Sequence, residues 1–181
     1  MLKHICVLLV SSVLALNIAP AFAAGAPASF KVGEFTFQRA EKWTWVESAS
    51  AMRKAQLKVS TADGKQVTEV VFFHFGPGNG GGTSANVERW LGQFQEGRDK
   101  IDAKVQEVAV GGRKLTYVHA HGTYMSGMPG GPKTAQADTI LKGAILESDE
   151  GSVFVKLTGP SGQVKGLESD FKTLVESALK K

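Results

Sequence analysis

The chain is almost free of cysteine, since Cys6 is the only one among its 181 residues. Cys6 lies in an N-terminal segment with the pattern of a signal peptide, so the mature chain is expected to carry no thiol. A chain without thiols cannot form disulfide bonds, use a cysteine nucleophile or bind a metal through thiolates. The sequence also contains no G-x-S-x-G, no H-E-x-x-H and no paired-carboxylate motif. It therefore lacks the marks of a disulfide-stabilised scaffold and of the hydrolases that such motifs identify.

Strong charge of either sign is missing as well. Lys and Arg together number 21, Asp and Glu together number 17, and the formal net charge is +4. The basic residues are scattered, without a block of roughly five or more like charges. Because a nucleic-acid surface needs a clustered basic face, we expect no nucleic-acid partner.

Residues 1–23 have the pattern of a secretory signal peptide. Lys3 precedes an apolar run from Ile5 to Leu16, and Ala21-Phe22-Ala23 places small residues at the positions that a signal peptidase reads. The run is shorter than the roughly 20 residues that a membrane-spanning helix needs. We therefore expect cleavage before Ala24, no stable membrane insertion afterwards, and a periplasmic or secreted protein.

The rest of the chain is expected to contain one domain. Small residues predict a flexible linker over residues 24–32, and a single α+β domain then covers residues 33–181. Alternating apolar and polar residues predict strands at 33–39, 43–46, 52–59, 67–75, 103–110, 114–124, 139–146 and 153–158. Several of these strands are joined by hairpin-length connections, which require antiparallel pairing.

Two amphipathic segments predict helices that pack on the faces of this sheet. The first has apolar residues at helical spacing, namely Val87, Trp90, Leu91 and Phe94. We expect Thr83 or Ser84 to cap this helix and Gly97 to end it. The second carries a longer apolar stripe of Leu167, Phe171, Leu174, Val175 and Leu179. The sequence therefore predicts an α+β fold with an antiparallel β-sheet flanked by helices.

Two features of this pattern resemble the PsbP-like α/β sandwich family. One is an early aromatic strand with Phe35, Phe37 and Trp43, and the other is a last strand that passes through residues 157–160 (Leu-Thr-Gly-Pro) into a closing helix. The resemblance covers nearly the whole mature chain, and implies an α/β/α sandwich with a tendency to bind partners and no transferable catalytic residue. The chain departs from the family's Pro-x-x-x-Trp start, because residues 39–42 (Arg-Ala-Glu-Lys) precede the tryptophan.

Four short sequence segments are also similar to segments of exported bacterial proteins without an assigned activity. These segments are Met52-Arg53-Lys54-Ala55, Phe75-Gly76-Pro77-Gly78, Arg89-Trp90 and Gly122-Thr123-Tyr124. They identify no activity, because similarity in fold or in short sequence segments does not define a functional site.

The glycine-rich segment from Gly76 to Gly82 is the most conspicuous motif. It matches G-x-G-x-x-G formally, but it does not follow the first strand, and the elements around it are hairpins rather than a parallel crossover. Gly82 also stands where a phosphate-binding loop would need a lysine. Two interpretations remain open: a flexible connection, or a weak anion or ligand site at the start of the following helix. The residues of that candidate site are Gly78, Asn79, Gly80, Gly81, Gly82, Thr83 and Ser84.

His119 and His121 are two residues apart on a predicted strand, so both side chains point to the same face. Met125 follows closely, and Met128 and His74 are further candidates. Imidazole and thioether groups suit copper, and imidazole also suits zinc, so a Cu or Zn site is one hypothesis. The alternative is that the histidines lie on a solvated strand face, that the methionines fill gaps, and that the protein has no cofactor.

Three functions are compatible with these observations. The leading hypothesis is a non-enzymatic exported domain that binds a protein or small-ligand partner through the glycine loop and the long segment from Ser126 to Ala137. The second is a periplasmic metal-binding protein that uses the histidine pair. The third is an enzyme acting at the glycine loop, with His74 as a candidate base.

Overall fold

A seven-stranded antiparallel sheet forms the centre of the computed structural model, which describes residues 26–48, 50–127 and 130–180. The elements in chain order are β1 (Ser29–Val32), β2 (Phe35–Gln38), β3 (Thr44–Trp45), β4 (Arg53–Ser60), β5 (Val67–His74), α1 (Thr83–Leu91), β6 (Lys104–Val110), β7 (Arg113–Gly127), β8 (Lys133–Leu146), β9 (Val153–Pro160) and α2 (Ser161–Ser177). None of the helices in the described ranges combines the length and the apolar character that crossing a membrane requires.

The strand order in the large sheet is β3-β4-β5-β9-β8-β7-β6. The segment containing α1 carries the chain from β5 to the far edge, and β6, β7 and β8 then return as hairpins towards the middle. The last strand, β9, completes the sheet by pairing with β8 on one side and β5 on the other, for example at Glu69 opposite Thr158. The separate β1–β2 hairpin lies against the same face as α2.

The two faces of the sheet bury different clusters, because successive side chains of a strand point to opposite faces. One face packs against α2 and the β1–β2 hairpin, with Phe37, Phe72, Leu157 and Phe171 among its buried residues. The other face packs against α1 through Trp90, and the two cores together make the fold a three-layer α/β/α sandwich. Each large apolar side chain in these layers contributes about 1.5–3 kcal/mol through its burial.

Helix α1 is shorter than the sequence predicts and has a different cap. Gly82, not Thr83 or Ser84, is the N-cap residue, and no side chain caps the helix. The helix ends at Leu91 rather than near Gly97, because the chain turns to pair with β7. The N–H of Gln95 donates to the carbonyl of Thr123 at 2.9 Å, so contacts with the sheet replace the last helical turn.

The predicted linker is partly wrong, because residues 29–32 form β1. Phe30 and Val32 are buried, and β1 pairs along its whole length with β2. The ring of Phe30 stacks on Phe37 with a centroid distance of 5.5 Å. The buried residues Phe30 and Val32 therefore extend the folded domain towards the N-terminus. The predicted signal peptide and the start of the linker lie outside the described residues and stay predictions.

The predicted long loop from Ser126 to Ala137 is also corrected. β7 continues to Gly127 and β8 begins at Lys133, so most of that segment is a paired hairpin. The register shifts between Gly122 and Tyr124, where Thr123 faces two residues of β8. This bulge absorbs the mismatch and allows pairing to continue, and it leaves Asp138 at a φ of 48°.

Candidate functional site

An open cleft of about 1010 Å³ lies between α2 and the inner face of β6, β7 and β8. Helix α2 packs on β9, β8 and β2. It therefore leaves the α2-facing side of β7 and β6, the two strands at that edge of the sheet, partly uncovered. Side chains from α2, including Lys165, Ser169 and Lys172, form one wall of the cleft. The floor comes from the strands, which place His119 and His121 of β7 in the same cleft.

Charged groups are concentrated around His119. Lys142 binds Glu168 of α2 at 2.8 Å, and Lys104 binds Asp102 at 2.9 Å. The Nε2 atom of His119 lies 3.5 Å from the carboxylate of Asp102. The hydrogen bond from Lys104, followed by the positive charge of Lys104, holds the pKa of Asp102 below its usual value. This region therefore contains both signs of charge beside one half-buried imidazole.

The surroundings of His119 disfavour its protonated form. Its side chain is 17% exposed, and burial lowers its pKa, with the positive charge of Lys142 acting in the same direction. Its Nδ1 atom is buried and has no hydrogen-bond partner among the described residues. A neutral imidazole with a free ring nitrogen can accept or donate a hydrogen bond or bind a metal.

The other end of the cleft is apolar. Val108, Val110 and Tyr117 line it and pack only partly against the core beneath α2. The Tyr117 hydroxyl donates to Glu176 of α2 at 3.4 Å. Burial raises the pKa of Tyr117, with the charge of Glu176 adding to the effect, so this residue stays a neutral hydroxyl. The cleft therefore has one apolar end and one charged end.

His121 lies near His119 on β7 but has a different carboxylate partner. Its Nε2 atom is 2.8 Å from one oxygen of Asp138, and the hydroxyl of Ser161 donates to the other oxygen at 2.7 Å. The hydrogen bond with His121, followed by that from Ser161, lowers the pKa of Asp138. Because Ser161 is the first residue of α2, the bulge residue Asp138 connects β7 to the start of that helix.

The remaining candidate metal ligands do not join this pair. Met125 lies four residues further along β7, roughly 13 Å away at the usual rise of an extended strand, and is not among the residues that line the cleft. His74 lies elsewhere, with its Nε2 atom 3.1 Å from the carbonyl oxygen of Glu150. Met128 lies outside the described residues. Within those residues, no three His, Cys, Asp or Glu side chains are grouped so that they could hold a metal ion.

The glycine loop is held in place by its own helix. The side-chain amide of Asn86 donates to the carbonyls of Gly80, Gly81 and Gly82 at 2.9, 3.2 and 3.0 Å. The Thr83 hydroxyl donates to the carboxylate of Glu147 at 2.6 Å, so this hydroxyl already binds an anionic group of the protein. No residue of this loop lines the cleft. An anion or ligand site over residues 78–84 stays a prediction.

The sequence pattern indicates the two histidines as candidates but does not reveal the cleft in which they lie. Its walls come from α2 and from β6, which are far apart in sequence and meet only through the sheet. One sequence signal for the cleft was present, since Tyr117, His119 and His121 are spaced two apart on one strand and so share one face. A second was the polar side of α2, where Lys165, Glu168, Ser169, Lys172 and Glu176 recur at helical spacing.

The fold and its topology define the class of protein, a PsbP-like α/β/α sandwich. Among solved structures, the chain is similar to the solution structure of cyanobacterial PsbP (CyanoP) from Synechocystis sp. PCC 6803. The TM-score is 0.51 at 10% sequence identity, and the match covers 86% of this chain and 94% of the other. At this identity the likeness concerns the fold, and it confirms the predicted fold class and the PsbP-like resemblance. No family model and no curated protein matches the sequence.

Proposed function

We propose that the protein is an exported, non-enzymatic binding domain whose ligand site is the cleft between α2 and strands β6–β8. The observation that carries the proposal is the cleft itself, whose volume of about 1010 Å³ is of the size that small-molecule sites have. The PsbP-like fold supports a binding or interaction role in general. Export is inferred from the signal-peptide pattern of residues 1–23.

The ligand class follows from the two ends of the cleft. An apolar body would pack on Val108, Val110 and Tyr117, where such side chains are only partly covered. Towards the other end the lining contains more cations than carboxylates, with Lys104, Lys142 and Lys165 against Asp102 and Glu168. An amphipathic molecule with an apolar chain and an anionic head is therefore the best fit.

Octanoate and octylammonium test this ligand class, because they share a chain length and differ in the sign of the head. Each is titrated into the purified protein, and binding is measured by calorimetry and by shifts of backbone amide resonances. We expect saturable octanoate binding with shifts in β6, β7 and α2, and binding of octylammonium weaker by about tenfold or more, which corresponds to roughly 1.4 kcal/mol.

Two tryptophan variants on α2 provide a matched control. Ser169 is exposed and lines the cleft, whereas Thr173 is exposed on the same helix and does not line it. Ser169→Trp should fill the cleft and weaken octanoate binding about tenfold or more, while Thr173→Trp should change it by less than about twofold. Equal binding by both variants, or no saturable binding of octanoate, would contradict the proposed site.

A metal-binding function is the second candidate, and one observation favours it. His119 and His121 share the cleft, and the lowered pKa of His119 favours the neutral imidazole that a metal requires. Native mass spectrometry with Cu(I), Cu(II) and Zn(II), beside the His119→Ala/His121→Ala double variant, tests it. One tightly held ion that the variant loses would support this function, and equal weak binding by both proteins would reject it.

A further inference from the structure

The large sheet has two edges of very different length. At one edge β3 contains two residues, and at the other β6 contains seven. β6 pairs with β7 along its whole length and shows no register shift. Within the described part of the chain, no other backbone hydrogen bond reaches β6. Its outer edge therefore presents a regular row of free backbone N–H and C=O groups.

Natural proteins usually protect such an edge by making it short, bulged, covered or charged. β6 is long and regular, and it contains no proline. Its two charged side chains are engaged along the protein's own surface, since Lys104 binds Asp102 at 2.9 Å and Glu107 binds Lys114 at 3.2 Å. Val105 is 43% exposed on the same strand. An edge with this character is suited to accepting another strand.

A second copy of the chain is a poor occupant of this edge. Two β6 strands related by a two-fold axis pair antiparallel, and pairing of all seven residues sets Lys104 opposite Val110. Glu107 then stands opposite its own copy, and like charges directly opposite each other destabilise a sheet. The charge pattern of β6 thus favours a different sequence.

We propose that β6 is the docking site for an extended segment of a partner protein, which adds to the sheet as a further antiparallel strand. Antiparallel pairing continues the pattern of every ladder in this sheet. This inference uses the outer edge of β6 and does not depend on a ligand in the cleft.

The side chains of β6 define the chemistry of the segment. Cross-strand neighbours should be apolar opposite Val110, Val108 and Val105, basic opposite Glu107 and acidic opposite Lys104. Read from its N-terminus, the docking segment therefore begins with apolar residues at alternate positions, has a basic residue in the middle and ends on an acidic residue. Val-Thr-Val-Lys-Thr-Val-Glu is a peptide of this pattern and serves as the probe.

The experiment measures amide hydrogen exchange of the isotope-labelled protein with and without the peptide. Only amides that point away from β7 can bond to an added strand, so protection should rise at alternate residues of β6 and stay unchanged in β3. A second peptide has Glu in place of the central Lys. It should bind the natural protein about three- to tenfold more weakly, because it places a carboxylate opposite Glu107.

A charge reversal on the protein provides the specific control. Glu107→Lys should reverse the preference between the two peptides, so that the peptide with the central Glu binds more tightly. Glu150→Lys changes the same charge in an exposed turn and should keep the natural preference. The amide spectrum of each variant reports folding independently of binding.

Three results would overturn the proposal. The first is no gain of protection in β6 with either peptide. The second is an unchanged preference in a folded Glu107→Lys protein. The third is protection of β6 in the free protein that rises with protein concentration, which would identify a second copy as the occupant.

Discussion

The indole ring of Trp90 lies where a side chain of Gly143 would be. A Cβ atom built on Gly143 would overlap the six-membered part of the ring. Trp90 is 6% exposed and is part of the core between α1 and the sheet. The missing side chain on β8 therefore sets how closely α1 packs on the sheet.

Gly143→Ala should destabilise the protein, because a methyl group at this position must displace the ring or the helix. We expect the free energy of unfolding to fall by about 1–3 kcal/mol, the usual cost of overpacking a core. Urea denaturation followed by tryptophan fluorescence measures the change. Unaltered stability would mean that α1 can shift on the sheet without loss.

Gly166→Ala is the opposite case and should stabilise the protein. Gly166 lies inside α2 and is exposed, and among the described residues an added Cβ would meet no atom within 4 Å beyond its chain neighbours and the backbone of its own helix. Alanine is favoured over glycine in a helix interior by about 0.5–1 kcal/mol. The same denaturation experiment should show this gain, and a loss of stability would show that α2 does not tolerate the change.

His119 should make stability depend on pH in the mildly acidic range. Its pKa is lowered in the folded protein, mainly by burial and then by Lys142, although Asp102 acts in the opposite direction. As the pH falls through the ordinary histidine pKa of about 6.5, the unfolded chain binds a proton before the folded protein does. The free energy of unfolding therefore decreases as the pH falls from there towards the lowered pKa of His119 in the folded protein.

The His119→Gln variant isolates this effect. Its stability should fall less than that of the natural protein between about pH 7 and pH 5. At lower pH both proteins should lose stability alike, because carboxylates with lowered pKa values, such as Asp138, then become protonated. Parallel stability curves throughout would show that His119 does not contribute. Thermal unfolding at a series of pH values makes the comparison.

Asn86→Ala should loosen the glycine loop. The buried Asn86 amide donates to three consecutive carbonyls of residues 80–82. Without it the Gly81 carbonyl loses its donor, whereas the Gly80 carbonyl keeps a bond from Arg89 and the Gly82 carbonyl keeps one from the backbone N–H of residue 86. We expect a loss of about 1 kcal/mol, the usual net value of a hydrogen bond, and faster amide exchange in the loop. Asn79→Ala is the control, because the exposed Asn79 side chain donates to a single carbonyl of the described residues, that of nearby Pro77. Similar effects of both changes would contradict an anchoring role for Asn86.

Local patterns predicted most of the fold correctly. The alternation of Phe35 and Phe37, the stripe containing Trp90 and the stripe containing Phe171 each follow from the geometry of one element. These features, with the hairpin connections, are enough for an antiparallel sheet between helices, and the structure confirms that class.

The sequence-based predictions were wrong where contacts between distant segments compete with the local preference for helix or coil. Phe94 continues the helical stripe of α1, yet it leaves the helix because Tyr124 of β7 offers a bridge and an aromatic contact at 5.6 Å. Phe30 and Val32 form a strand only because β2 and the core beneath it are present. Periodicity alone carries no information about such partners.

The sequence by itself determined the types of element, the burial of their apolar stripes and the common face of His119 and His121. Only the tertiary structure decided that β9 pairs between β5 and β8, and that β6 becomes a long free edge. It also decided that α2 covers the middle strands and leaves a cleft at the histidines. The physical reason is that side-chain periodicity is fixed within one segment, whereas strand order and helix placement depend on which distant surfaces bury the most apolar area together.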